Sequence, residues 1–307
     1  MTRDPLLIDR EIATRIVRRT IGRQCTVTDL RPLHGGSVNR VFEWNTNGRP
    51  ASLVAKLNTR RHDGAFRREQ EMLAIYRDAG LPVPEVYAHV EPGDDFDGCG
   101  LLMQRVPGEN LADARITVRG RAAIDRQLAD QLAHLHTHRR GTYGSAHLER
   151  GHEHWIDAFR PIIAQEYEAV REALPSRTRG IVEDLLEALP AYLAGAGPPT
   201  LVHGDLWDTN LLIDATIPDR PRLLAFIDGQ ASYSDPDYEL AYLRLFHTAG
   251  EEFFRRYHRV HPRRAGFERR CRVYWLSTMM MHVRMFGDRY LKPCREMAEW
   301  VRSLASA

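Results

Sequence analysis

The segment His203-Gly204-Asp205-Leu206-Trp207-Asp208-Thr209-Asn210 constrains this chain most, because it is a polar loop set directly against strand-forming sequence. Leu211-Leu212-Ile213 follows at once and is apolar and β-like, so the loop is anchored on a strand. The run Leu223-Leu224-Ala225-Phe226-Ile227 has a buried-strand pattern and delivers Asp228 at its end, eighteen residues after Asn210. The spacing His203-x-Asp205-x-x-x-x-Asn210 has a physical reason. So short a loop lets the Asp205 carboxylate and the Asn210 amide converge on one group. The carboxylate accepts a proton from an incoming hydroxyl, while Asn210 and Asp228 supply the hard oxygen donors that suit magnesium. Together these parts are what a phosphoryl-transfer loop needs. Loop polarity alone would explain the octapeptide, but not the strand that then delivers a second carboxylate.

A chain of 307 residues is long for a single core and suits two lobes. Hydrophobic content of 43% and charged content of 27% fit a soluble globular protein, and no apolar run reaches the ~18–20 residues of a membrane span. The opening residues lead into a charged, helix-like stretch from Ile8 to Arg19 with no signal-peptide core, so a cytoplasmic location is expected. Cys25, Cys99, Cys271 and Cys294 are scattered, which favours reduced thiols over disulfides or a zinc site. Of 43 basic residues only Lys56 and Lys292 are lysines. Lys292 precedes Pro293 and reads as a solvated loop residue. Lys56 does not.

Strands are predicted at Val27 to Leu33, Arg40 to Asn45 and Ser52 to Leu57, with Asn47-Gly48 as a tight turn. Between the first two, Gly35 and Gly36 allow close backbone approach to a bound phosphate. Lys56 lies on the third strand in Val54-Ala55-Lys56, where it would meet phosphates and needs a carboxylate to fix it. The helix predicted from Phe66 to Arg77 offers Glu69 and Glu71 on different sides; Glu69 is expected as the partner, with Glu71 as the fallback. Further strands are expected at Val86 to Val90 and Leu101 to Met103. Residues 104–108 then read as a hinge, with the carbonyl of Gln104 and the amide of Val106 placed to read adenine. The predicted organisation is a nucleotide-binding lobe at 1–103, that hinge, and a mostly helical catalytic and acceptor-binding lobe at 109–307. His136, at the end of the helix Ile124 to His136, reads as a cap on backbone carbonyls.

These residues resemble the aminoglycoside phosphotransferase superfamily, and within it the fructosamine (ketosamine) kinases. The likeness rests on His203-Gly204-Asp205-Leu206-Trp207, on Ser37-Val38-Asn39, on Gln131 to His136, and on a tail containing Phe254, Tyr257, Gly266-Phe267, Arg270, Tyr274, His282, Phe286-Gly287 and Tyr290. It covers essentially the whole chain. It implies an α+β, bilobal protein-kinase-like fold, with a small antiparallel-sheet N-lobe carrying one main helix and a larger helical C-lobe. It also implies ATP and Mg2+ as cofactors. Asp205 would be the catalytic base. Gly35, Gly36, Ser37, Asn39, Lys56, Glu69, Gln104 and Val106 would bind the nucleotide, and Asn210 and Asp228 the metal.

The acceptor side departs from the family pattern at Asp208-Thr209, Asp228-Gly229-Gln230 and Ser234-Asp235-Pro236-Asp237. Trp207, Asp208, Gln230, Asp235 and Asp237 are nonetheless the residues expected around a small, sugar-like acceptor. Trp207 would stack on a sugar ring or pack in the core, and Asp235 or Asp237 would pair with the secondary amine of a ketosamine. An antibiotic phosphotransferase is the alternative. Residues 251–307 hold 13 Lys+Arg against six Asp+Glu, which disfavours a polycationic acceptor. A protein kinase is disfavoured by the lack of an Ala-Pro-Glu segment, and a nucleic-acid binder because the arginines of the tail read as a solvated helix face. No nucleic acid, no membrane, and a monomer or weak homodimer are expected.

Overall fold

The computed structural model describes residues 7–33, 39–94 and 96–305. In chain order the elements are α1 (Arg10–Thr20), β1 (Val27–Leu33), β2 (Arg40–Thr46), β3 (Ser52–Thr59), α2 (Asp63–Asp78), β4 (Val86–Val90), β5 (Gly98–Gln104) and β6 (Glu109–Asn110). Then come α3 (Val118–Leu135), β7 (Gly144–Ser145), α4 (Trp155–Val170), α5 (Ser176–Tyr192), β8 (Thr200–Val202), β9 (Leu211–Asp214) and β10 (Arg222–Phe226). The chain continues through β11 (Ser232–Ser234), α6 (Pro236–Leu245), α7 (Glu251–Val260), α8 (Phe267–Phe286) and α9 (Leu291–Ala305). Two compact units result. The first comprises Met1–Arg115, Thr209–Ile217 and Arg222–Gly229; the second comprises Ile116–Asp208, Pro218–Pro221 and Gln230–Ala307. Residues 104–108, expected as a hinge, fall inside the first unit, as does the β9–β10 pair.

The first unit is built on an antiparallel sheet of order β1-β2-β3-β5-β4. Strand alternation explains which side chain faces where. Leu53, Ala55 and Leu57 join Ala13, Ile16 and Val17 of α1 in one buried cluster. Val54 turns to the other face, where Phe66 and Leu73 of α2 meet Cys99, Leu101 and Met103 of β5. Lys56 shares that second face by the same period of two. On α2, Phe66, Leu73 and Tyr76 are buried, and Glu69 falls on their stripe at helical spacing. The strand and the helix thus aim a lysine and a glutamate at each other. Burying side chains of this kind contributes about 1.5–3 kcal/mol each, enough to hold that register.

In the second unit, a three-stranded sheet of order β7-β11-β8 leads into helices α3 to α9. An aromatic cluster of Trp155, Phe159, Tyr238 and Tyr274, with ring centroids 5.2–6.4 Å apart, ties α4, α6 and α8 together. Two of the tail arginines depart from the solvated face expected of them, while others such as Arg255 and Arg263 are exposed. Arg270 is fully buried, and Arg264 is bound to buried acids. Met279 and Met280 are core, as their apolar neighbours imply.

Candidate active site

In the first unit, Lys56 Nζ donates to Glu69 Oε1 at 2.8 Å and to Asp228 Oδ1 at 2.6 Å. Glu71 is exposed. Burial works to lower the lysine pKa, but the two carboxylates outweigh it and the net shift is upward, so Lys56 stays charged. Burial pushes Glu69 up, partly offset by Lys56. One ammonium shared by two carboxylates leaves negative charge in reserve. Asp228 adopts φ of 56°, a left-handed conformation uncommon outside glycine, at the end of β10. The β9–β10 pairing opposes Leu211 to Phe226, and the Asn210 carbonyl accepts from the Ile227 amide at 3.0 Å. Asn210 and Asp228 therefore lie at the same end of one antiparallel pair, an amide and a carboxylate fit for a hard cation. A Cβ on Gly229 would meet the Tyr76 ring at 2.6 Å, so the chain after Asp228 packs closely on α2.

The other expected nucleotide residues of this unit make hydrogen bonds of their own. Asn39 accepts from Asn58 Nδ2 at 2.8 Å. Gln104 ends β5 with its amide donating to the Glu85 carbonyl at 2.7 Å, and Val106 is buried with its carbonyl accepting from Gly108. Arg105, which lies between them, donates to the buried Glu43 at 2.9 Å, a tie that sequence reading missed. Gly35, Gly36 and Ser37 lie outside the described residues.

In the second unit, the Tyr242 hydroxyl donates to Asp205 Oδ1 at 2.8 Å. Burial, then the Asp205 charge, pushes the Tyr242 pKa far above its ordinary value, so it remains a donor. The preceding Gly204 has φ of 82°, and a Cβ there would come within 2.6 Å of the Gln230 carbonyl, so only glycine fits the turn. Its amide donates to Glu239 Oε1 at 2.8 Å. Glu239 also lies 2.9 Å from His136 Nε2, and His136 Nδ1 lies 2.6 Å from the Tyr257 hydroxyl. A carboxylate only accepts, so Nε2 carries the proton. His136 is thus not a cap on carbonyls, as its helix-end position implies. Its ring is buried in a network that holds the loop before Asp205.

The acceptor-flanking residues divide. Trp207 is 42% exposed, which rules out a core-packing role, and Gln230 is exposed with its amide donating to the His203 carbonyl at 2.7 Å. Asp208 lies 3.4 Å from Arg121, and burial pushes its pKa up against that pairing. Asp235 and Asp237 are corrected by the structure. Both are buried, Asp235 accepting from Tyr274, Gly197 and Arg264, and Asp237 from Arg264 and Arg270. Carboxylates so fully committed to internal donors have nothing left for a substrate amine. A separate cavity of about 740 Å³, walled by Phe254, Phe267, Trp275 and Trp300, contains none of the expected site residues.

With this geometry in place, residues 29–272 match the phosphotransferase enzyme family. The chain belongs to that family. It is 24% identical over 284 residues to a probable ketoamine kinase of Vibrio vulnificus, covering 88% of this chain and 91% of that protein. Among solved structures, a candidate fructosamine-3-kinase of Haemophilus somnus superposes with a TM-score of 0.74 at 17% identity, covering 94% of this chain and 96% of that one. A thermostable mutant of aminoglycoside phosphotransferase APH(4)-Ia, in ternary complex with AMP-PNP and hygromycin B, gives 0.68 at 22%, covering 96% and 99%. The expected α+β fold, with an antiparallel-sheet N-terminal region and a helical C-terminal region, is the one these structures share. The protein is a small-molecule kinase. No helix among the described residues is long and apolar enough to cross a membrane.

Proposed function

We propose that this kinase transfers the γ-phosphoryl group of ATP to a hydroxyl of a ketoamine, a sugar joined to an amine. The observation that carries the acceptor class is the similarity, along 88% of the chain, to a protein named as a ketoamine kinase. Side-chain pairing supports it. Glu166, Asp208, Asp235 and Asp237 are each engaged by arginine, which leaves little for the polycation an aminoglycoside kinase must hold.

Asp205 orients the acceptor hydroxyl and takes its proton, with Tyr242 fixing the carboxylate. Lys56, held by Glu69, binds phosphate oxygens. Asn210 and Asp228 would hold magnesium, and two protein donors suffice where phosphates supply others. When bound, that ion would neutralise charge on the phosphates. Positioning and charge stabilisation then account for most of the rate, since phosphoryl transfer leaves little covalent work to side chains.

The test is ATP consumption by purified protein against fructosamines, ribulosamines and aminoglycosides. Turnover of ketoamines at the higher kcat/KM is expected. A strong preference for an aminoglycoside would replace this acceptor with an antibiotic and leave the kinase chemistry standing.

A further inference from the structure

From Asp205 a run of ring contacts leads away through the second unit. Tyr242, which donates to Asp205, packs on Phe246 with centroids 4.7 Å apart. Phe246 meets His282 at 5.2 Å, and His282 meets Tyr290 at 4.9 Å and Phe286 at 5.4 Å. At the end of the run the Arg289 guanidinium stands 5.1 Å from the Phe286 centroid and 5.2 Å from that of Tyr290. Burial falls along the way, from His282 at 8% exposed to Phe286 at 43%.

Charge sets the outer end apart. Arg284, two residues before Phe286, makes a bidentate pair with Glu166 at 2.7 and 2.9 Å. Arg121, Arg264 and Arg270 also sit on carboxylates. Among the described residues Arg289 instead rests on two rings. Such a platform restrains a guanidinium without neutralising it, leaving its planar fork of donors to take a carboxylate in bidentate fashion.

We propose that Arg289, standing on Phe286 and Tyr290 at the exposed end of this aromatic run, recognises a carboxylate on the amine portion of the acceptor. Ketoamines of amino acids are then preferred to those of plain amines. The inference rests on the ketoamine reading above. The sugar hydroxyl lies at Asp205, the carbon chain of the amine follows the rings, and the carboxylate meets Arg289.

The test uses length-matched acceptors long enough to follow the rings, the fructosamines of 6-aminohexanoate and 12-aminododecanoate against those of hexylamine and dodecylamine. The carboxylate members should have the higher kcat/KM, through KM, by roughly tenfold, the scale of a hydrogen bond to a charged group. Arg289→Gln should bring the ratio near unity and leave Tm and the KM for ATP in place. Equal kcat/KM for the matched acceptors, or a preference that survives in Arg289→Gln, overturns the assignment of Arg289 while ketoamine turnover stands. Turnover of none of the four removes the ketoamine reading, and this inference falls with it.

Discussion

In the first unit, Lys56 shares its ammonium between Glu69 and Asp228, and the Asp228 side chain is 50% exposed. In the second, Asp235, Asp237 and Arg270 pair with side-chain exposures of 5% or less. The chemistry is the same, carboxylate to cation, yet its uses differ. A buried pair is costly to break because it strands the remaining charge, so it fixes how helices meet. A pair with an exposed member and more acid than base can exchange partners as ligands arrive. Candidate ligand residues are therefore better sought among the incompletely neutralised acids than among acids as such.

The largest effect expected is from Asp205→Asn, which removes the proposed proton acceptor and keeps its size. Turnover should fall by about 10²–10⁴, the range of general acid–base contributions, with Tm and nucleotide binding retained. Steady-state kinetics on a true acceptor decide it, and near wild-type kcat would remove Asp205 from the chemistry. The buried network makes the opposite forecast. Arg270→Met leaves Asp237 without its fully buried donor and should cost about 3–5 kcal/mol of stability, measured by denaturant unfolding. A loss below about 1 kcal/mol would show that the network sets no architecture and would dissolve the contrast between the units.

How far the sequence reveals these two networks depends on the distance over which each is built. Lys56 stands out as one of two lysines, and strand period and helix register together aim it at Glu69. Asn210 and Asp228 are recoverable because each adjoins an apolar strand, and pairing those strands brings them to one end. Asp235 and Asp237 defeat such reading. Their partners Arg264 and Arg270 lie 27 to 33 residues on, and only the packing of α6 on α8 joins them. His136 fails for the same reason, with partners 103 and 121 residues away. Loop acids and tail arginines carry the same letters whether they end in solvent or in a core.

Lys56→Arg sharpens the comparison from the nucleotide side. The charge survives, but a planar fork replaces a compact ammonium that pairs with Glu69 and Asp228 and, as proposed, reaches phosphate. A loss in kcat/KM for ATP of about tenfold or more is expected, below the 10²–10³ of deleting a transition-state donor outright. Stability should change little, since the triad is open to solvent at Asp228. An unfolded variant would show that this triad, too, is architectural.

Tyr242→Phe carries the smallest effect and tests a direct contact between the packing of the second unit and the proposed base. The ring and its packing on Phe246 remain, so only the hydrogen bond to Asp205 is lost. A donor to the ionised carboxylate favours that form, so removing it raises the carboxylate pKa. The base is needed ionised. Activity therefore falls on the acid side first, and the acid limb of the kcat/KM profile moves to higher pH by up to about one unit, the differential worth of one such hydrogen bond. Tyr242 itself does not titrate in this range, because burial and then the Asp205 charge hold its hydroxyl protonated, so the displaced limb reports on Asp205. At the pH optimum the decrease should stay within a few-fold, since the mutant base is then fully ionised. A limb that does not move, with kcat reduced at every pH, would mean that Tyr242 only packs and that Asp205 is tuned by other groups.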